Sequence, residues 1–138
     1  MIRKAAAALA VAAGFAGVIG LAGPAFASPN GVANSGEVVV WKNTGFTGPL
    51  YDFGNDVKCY NDGAPGFFTE TTTLVNDNAS SIANYDSARK IQAYVDCDYQ
   101  GASLQLLQYG VVNGSGLSYA YSSLGSFDNQ FSSHHPAG

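Results

Sequence analysis

One two-part pattern occurs twice along the chain. Trp41, Phe46 and Gly48 precede Asn76-Asp77-Asn78-Ala79-Ser80-Ser81, and Tyr94, Tyr99 and Gly101 precede Asp128-Asn129-Gln130-Phe131-Ser132-Ser133. The first parts lie 53 residues apart and the second parts 52, so the copies hold register while the residues between them diverge. Agreement of spacing at two separate places marks an internal duplication. Such a chain is expected to fold as two similar units, each carrying its own copy of whatever the pattern encodes.

The duplication begins after an apolar leader. Arg3 and Lys4 precede an uncharged, Ala-rich run at residues 5–22, and Ala25-Phe26-Ala27 supplies small residues two apart, the pattern at which a signal peptidase cuts. The run is 18 residues long, at the lower limit for a permanent span, and it ends in a cleavage pattern rather than a positive stop. Residues 1–27 are therefore expected to be a signal peptide, and the mature protein to be secreted and free of the membrane. Residues 28–138 suffice for one domain with one core. They carry four Lys or Arg against ten Asp or Glu, a formal charge of −6. Only Arg89 and Lys90 adjoin, so the clustered basic surface that a nucleic-acid partner needs is missing. An acidic surface suits a cation. Cys59 and Cys97 both follow the leader, and in an oxidising compartment they are expected to form one disulfide. Two distant thiols are too few for a zinc site.

After the leader no segment shows capped helical periodicity. Short runs rich in Val, Tyr, Phe and Thr alternate with Gly, Asn, Asp and Ser clusters every 8 to 12 residues or so, as in an all-β sandwich. The first copy is expected to form strands at residues 37–41, 50–53, 69–75 and 82–85. The second repeats them at 90–95, 103–109 and 117–122, with a last piece after Ser132. Four strands in each copy make two Greek keys. The expected organisation is a flexible lead at 28–36, then a single domain over 37–138. Within it, Greek key 1 spans about 37–86, a connector 87–89, and Greek key 2 about 89–135. Residues 61–68, with Asp62-Gly63 and Pro65-Gly66, read as a loop.

The two parts of the pattern ask for different chemistry. In a hairpin folded over a sheet, the first aromatic is expected to point into the core and the second to cover the folded tip. The Gly sits where the backbone needs positive φ, which Gly adopts without steric cost. Gly48 and Gly101 are the sensitive positions of that element. The loops differ in kind, because two Asn or Asp residues, two variable ones and two Ser concentrate carboxylate, amide, hydroxyl and carbonyl oxygens in one tight turn. A hard cation such as calcium takes six to eight such ligands. The same residue types also build plain Asx and Ser turns that satisfy their own backbone. Two copies in register behind two copies of the hairpin favour the ion.

Those residues give the chain a resemblance. Trp41-Lys42-Asn43-Thr44-Gly45-Phe46-Thr47-Gly48 and Tyr94-Val95-Asp96-Cys97-Asp98-Tyr99-Gln100-Gly101 match the folded hairpin of βγ-crystallin domains, and both loops match that family's calcium element at every specified position. The chain resembles a bacterial, secreted, calcium-binding βγ-crystallin protein with two Greek keys. The resemblance implies a βγ-crystallin-like β-sandwich with two calcium ions, each held between the two loops. One ion would take the Asn78 carbonyl, the Ser80 hydroxyl and the Asn129 side chain. The other would take the Gln130 carbonyl, the Ser132 hydroxyl and the Asp77 side chain. A carbonyl from Lys42 or Val95 and water would complete each shell, with Asn76 and Asp128 opening the loops. Ser81 and Ser133 are expected to hold the folded hairpins rather than the ions. The Asp77 site, with a carboxylate where the other has an amide, should bind more tightly, and Asp128 could offset the difference. Against the family's pattern, His134-His135-Pro136 predicts a short or missing final strand and a frayed terminus.

Other functions remain open on sequence grounds. A family of exported bacterial metallopeptidase inhibitors shares this fold and layout, so a secreted peptidase inhibitor is the alternative, with an extracellular peptidase as partner. A cell-wall or carbohydrate partner would use Tyr109, Tyr119 and Tyr121, which as strand residues are expected mainly in core and interface. An enzyme is not expected: His occurs only at positions 134 and 135, so no Ser-His-Asp set has its base on a rigid element. The protein is expected to be monomeric.

Overall fold

Alternation along the strands decides which side chains meet. In β1 (Val38–Asn43) Val38 and Val40 join the main core, while Val39 and Trp41 project to the opposite face. In the matching strand of the second copy, β4 (Lys90–Asp96), Ile91 and Ala93 point inward. The computed structural model describes residues 29–54, 56–61 and 66–137; the expected signal peptide and residues 62–65 of the expected loop at 61–68 lie outside the described residues. No helix among the described residues is long and apolar enough to cross a membrane.

Two antiparallel sheets pack face to face. The first runs in the order β2 (Thr47–Phe53), β1, β3 (Ser81–Asn84), β6 (Ala120–Tyr121). The second runs β5 (Gln100–Leu106), β4, β7 (Ser133–Ala137). Between them Val38, Val40, Phe53, Ile82, Ile91, Leu106 and Phe131 form one core drawn from both copies.

Each copy lends a segment to the other's sheet. From the second copy, β6 pairs with β3 through Ile82↔Tyr121 and Ala83↔Ala120. In return, Val57 exchanges backbone bonds with His134 on β7 (2.8 and 3.0 Å), and the Tyr60 N–H donates to the Ser132 carbonyl at 2.7 Å. Cys59 lies inside that exchanged segment and is bonded to Cys97, with Cα atoms 4.6 Å apart. The expected disulfide therefore ties the lent segment to the folded hairpin of the copy that receives it.

This exchange corrects the expected third strand at 69–75. Thr69 donates its N–H and hydroxyl to the Leu50 carbonyl of β2 (2.9 and 2.7 Å), and beyond it the segment turns back on itself, with the bridge Phe67↔Leu74. The Thr71 hydroxyl and N–H both donate to the Phe68 carbonyl, and Glu70 sits at φ +59°. Thr residues that read as strand formers instead bond the local backbone, and residues 57–60 take the sheet position. The expected strand at 117–122 shortens to β6, and the one at 103–109 forms earlier, as β5.

The closing strand is also corrected. β7 pairs with β4 from Tyr94↔Ser133 through to Lys90↔Ala137. Because His134 directs both its backbone groups to Val57, away from β4, alternation turns the Pro136 nitrogen outward as well. On that side Pro costs no bond to β4. The terminus is held, and the second key extends to Ala137.

Residues expected to form a flexible lead are anchored. Asn30 and Gly31 donate their N–H groups to the buried Asp52 carboxylate (2.8 and 2.9 Å), and the Asn34 N–H donates to Glu37 at 2.7 Å. Burial raises the Glu37 pKa, and the nearby Asp52 charge adds to that.

The folded hairpins keep their glycines, and their first aromatics differ: Trp41 is buried in a second, smaller core with Val39 and Ala83, whereas Tyr94 is only partly buried. Trp41 packs on the outer face of its sheet, edge-on to Phe46 with centroids 5.2 Å apart, and Tyr94 meets Tyr99 at 6.1 Å. Period two forces this, since Val40 and Ala93 already hold the inward positions. Gly48 and Gly101 have φ of +76° and +80°. A Cβ on Gly101 would come within 2.5 Å of Asp96 Oδ2 and 2.7 Å of Val95 Cγ2. Gly101→Ala is therefore expected to lower unfolding free energy by about 2 kcal/mol or more, read from the denaturant midpoint.

Candidate functional site

The two oxygen-rich loops sit against each other and exchange bonds reciprocally. The Asp77 N–H donates to the Phe131 carbonyl at 3.1 Å, and the Asn129 N–H donates to the Ala79 carbonyl at 2.9 Å. Both residues adopt φ +58°, a left-handed geometry that Asn and Asp tolerate better than most. The second position of each loop thus needs this residue type for its backbone as well as for its oxygen.

Side chains cross between the loops in the same way. The Ser132 hydroxyl donates to Asp77 Oδ1 at 3.0 Å, and the Ser80 hydroxyl lies 3.5 Å from Asn129 Oδ1. Ser80 and Ser132 are buried, whereas Asp77, Asp128, Asn129 and Gln130 are exposed. Asn76 donates to Asp77 Oδ2 at 3.0 Å, while its own Oδ1 is buried without a hydrogen-bond partner. Asn78 Nδ2 turns back to the Asn76 carbonyl, and Asn129 Nδ2 lies 3.4 Å from Asp128 Oδ2. Each loop docks beside a first hairpin aromatic, with Ser80 N–H on the Trp41 carbonyl and Ser132 N–H on the Tyr94 carbonyl, both at 2.9 Å. Lys42 and Val95 are the next residues along.

The second Ser of each loop is bound into the folded hairpin. Ser81 donates to the Asn43 carbonyl at 2.7 Å and accepts the Phe46 N–H at 3.2 Å. Ser133 does the same between the Asp96 carbonyl and the Tyr99 N–H. Phe46 and Tyr99 stand at φ +57° and +60°, unusual for aromatic residues, and these hydroxyls help hold them there. Fold motif and loop motif are thus one connected unit in each copy.

The donors suit a hard cation. Among the described residues no group of three or more His, Cys, Asp and Glu side chains converges. The loops offer hydroxyl, amide and carbonyl oxygens with Asp77 as the bridging carboxylate, a set that favours calcium over thiol- or imidazole-seeking metals. The buried Asn76 Oδ1, without a hydrogen-bond partner, is an amide oxygen of the kind a hard cation takes as ligand.

One polar site in the core escaped sequence reasoning. His134 is fully buried, its Nδ1 is 2.7 Å from the Tyr60 hydroxyl, and its Nε2 is 2.7 Å from the Gly54 carbonyl. A carbonyl can only accept, so Nε2 carries the proton and Tyr60 donates to Nδ1. Burial holds the imidazole pKa down at about 4, although the Gly54 carbonyl and Asp56 oppose the shift. The unfolded chain binds this proton near pH 6.5 and the folded chain only near 4. Stability is therefore complete above pH 6.5 and declines by about 3 kcal/mol as pH falls to 4. Denaturant melts across that window should show the slope, and His134→Gln should flatten it.

The comparisons with known proteins fit this geometry. A family model described as peptidase inhibitor family I36 matches residues 27–106, more than half of the chain. The chain belongs to peptidase inhibitor family I36. The matched span of this I36 member holds the first hairpin, the first loop, both cysteines and the second hairpin. No curated protein matches the sequence. Among solved structures, a domain described under the evolution of the eye-lens βγ-crystallin fold aligns with TM-score 0.58 at 20% identity. It covers 80% of this chain and 97% of its own. A βγ-crystallin from Ciona intestinalis aligns with TM-score 0.52 at 19% identity, covering 74% and 100%. The I36 member therefore has the βγ-crystallin Greek-key sandwich.

Proposed function

We propose that this I36 member is a secreted, non-catalytic protein whose paired loops bind two calcium ions. The observation that carries the reading is the reciprocal crossing of Asp77 with Ser132 and Asn129 with Ser80. Asn78 and Gln130 would add carbonyls, and Lys42 or Val95 a further one. Bound calcium would supply charge neutralisation and coordination between loops from opposite copies. Asp77 and Asn129 orient their oxygens through the left-handed backbone, while Ser81 and Ser133 fix the hairpins beneath. Binding to the folded chain alone would stabilise it by about 2.7 kcal/mol at a hundredfold excess over Kd. Thermal melts with calcium and with chelator test this, and an unchanged midpoint at millimolar calcium would reject it.

A second reading, inhibition of an extracellular metallopeptidase, is favoured by the family membership. Bound calcium would then stiffen a scaffold whose exposed elements engage the enzyme. Hydrolysis of a peptide substrate by a thermolysin-like peptidase should fall in the presence of excess protein. Undiminished hydrolysis would remove this reading and leave the calcium reading standing.

A further inference from the structure

Two acidic side chains are shut in on the outer face of the first sheet. Glu37 is 3% exposed and Asp52 1%, and neither has an ion-pair partner among the described residues. Val39 lies opposite Asp52, and the Tyr85 N–H donates to the Glu37 carbonyl at 2.8 Å, which carries the β1–β3 ladder one step past Val38. Alternation therefore sets Glu37 on the face that Val39 and Asp52 share.

The lead at 29–36 closes over this pair. Asp52 accepts the Asn30 and Gly31 N–H groups, and Glu37 Oε2 accepts the Asn34 N–H. Asn30 Oδ1 takes the Val32 N–H at 2.8 Å and Asn34 Nδ2 at 3.3 Å, so the lead is also tied to itself. Ala33 packs on the smaller core of Val39, Trp41 and Ala83.

One oxygen has no place in this arrangement. Glu37 Oε1 is buried without a hydrogen-bond partner. Ionised, Glu37 would hold that oxygen away from water with nothing in exchange, and the Asp52 charge would repel it. Neutral, it escapes both costs and still accepts the Asn34 N–H through Oε2. Burial and the Asp52 charge accordingly raise its pKa. Of the elements around Glu37, β2 presents Asp52, the residue after β3 is Tyr85, and the lead carries no titratable side chain. The Tyr85 ring stacks on Tyr109, which sequence reasoning placed in core or interface and which stands at the surface instead.

We infer that the lead at 29–36 is a proton-locked strap, held on the sheet while Glu37 is neutral and loosened when Glu37 ionises, so that Val39, Trp41 and Ala83 are uncovered more often. The closed strap binds the proton more tightly than the open one. Closure is therefore favoured in acid and is lost as pH rises through the closed-state pKa. Each unit between the open and closed pKa values weakens closure tenfold. His134 moves global stability in the opposite direction, so the strap is read locally.

The test is amide hydrogen exchange from pH 5 to 8, corrected for its intrinsic pH dependence, at Asn30, Gly31 and Asn34. In the wild type their protection should fall as pH rises while Val38 and Ile82 keep theirs, and the fall should level off once the carboxyl carbon shift shows Glu37 ionised. Glu37→Gln, which retains an acceptor for Asn34 and has no charge, should hold protection constant across the range. Constant protection in the wild type would overturn the strap. So would a fall that continues after Glu37 has ionised, or one that Glu37→Gln leaves unchanged.

Discussion

Replacing both Cys59 and Cys97 by alanine is expected to lower the thermal midpoint by about 15 °C. The bridge closes a loop of sequence separation 38, for which the chain-entropy model gives about 4 kcal/mol, or about 4 °C per kcal/mol in a domain of this size. The native structure adds a second reason. Cys59 lies in the segment that the first copy lends to the second sheet, and the same contact is secured by the Lys58 carbonyl accepting the Asp98 N–H at 2.7 Å and by Tyr99 donating to Asp56. Freed of its covalent tie, that segment should open first, so amide exchange at Val57 and Tyr60 should accelerate more than at Val38 or Ile82. A midpoint unchanged in the double variant would mean that the hydrogen bonds hold the exchange unaided.

The second large effect concerns the loops. Asp77→Ala and Asn129→Ala remove equivalent side chains from opposite crossings, yet they are expected to differ. Losing the carboxylate should weaken one calcium site at least tenfold, about 1.4 kcal/mol, whereas losing the neutral amide should cost less. In chelator the two variants should melt close to each other, because both side chains are exposed and each crossing contributes one hydrogen bond at most. Midpoints with and without calcium separate the cases. Equal calcium shifts in the two variants would contradict the ranking of the sites.

What the sequence revealed depended on whether a residue's role was local. Gly48 and Gly101 act within a few positions of themselves, so spacing alone located the folded hairpins, whereas the crossing of the loops joins residues 49 and 55 positions apart and was an expectation of the family resemblance. Roles set by distant partners were illegible. A local competitor was missed as well: Thr71, Thr72 and Thr73 have strand-forming side chains, but the Thr71 hydroxyl bonds the Phe68 carbonyl three residues back. The short Val57-Lys58-Cys59-Tyr60 run carries no strand periodicity, and only the neighbouring β7 gives it a sheet position. Pro136 argued against a final strand until the edge of the sheet supplied a side where its missing N–H is harmless. His134 looked terminal, yet Tyr60, 74 residues away in sequence, makes it part of the core.

In the proposed function two duplicated loops hold two unequal calcium ions across the interface between the copies. Calorimetric titration of the chelator-treated protein with calcium tests it most directly. Two binding events per chain are predicted, with the tighter lost in Asp77→Ala and the weaker retained. No heat at millimolar calcium, or a profile that Asp77→Ala leaves unchanged, would contradict it.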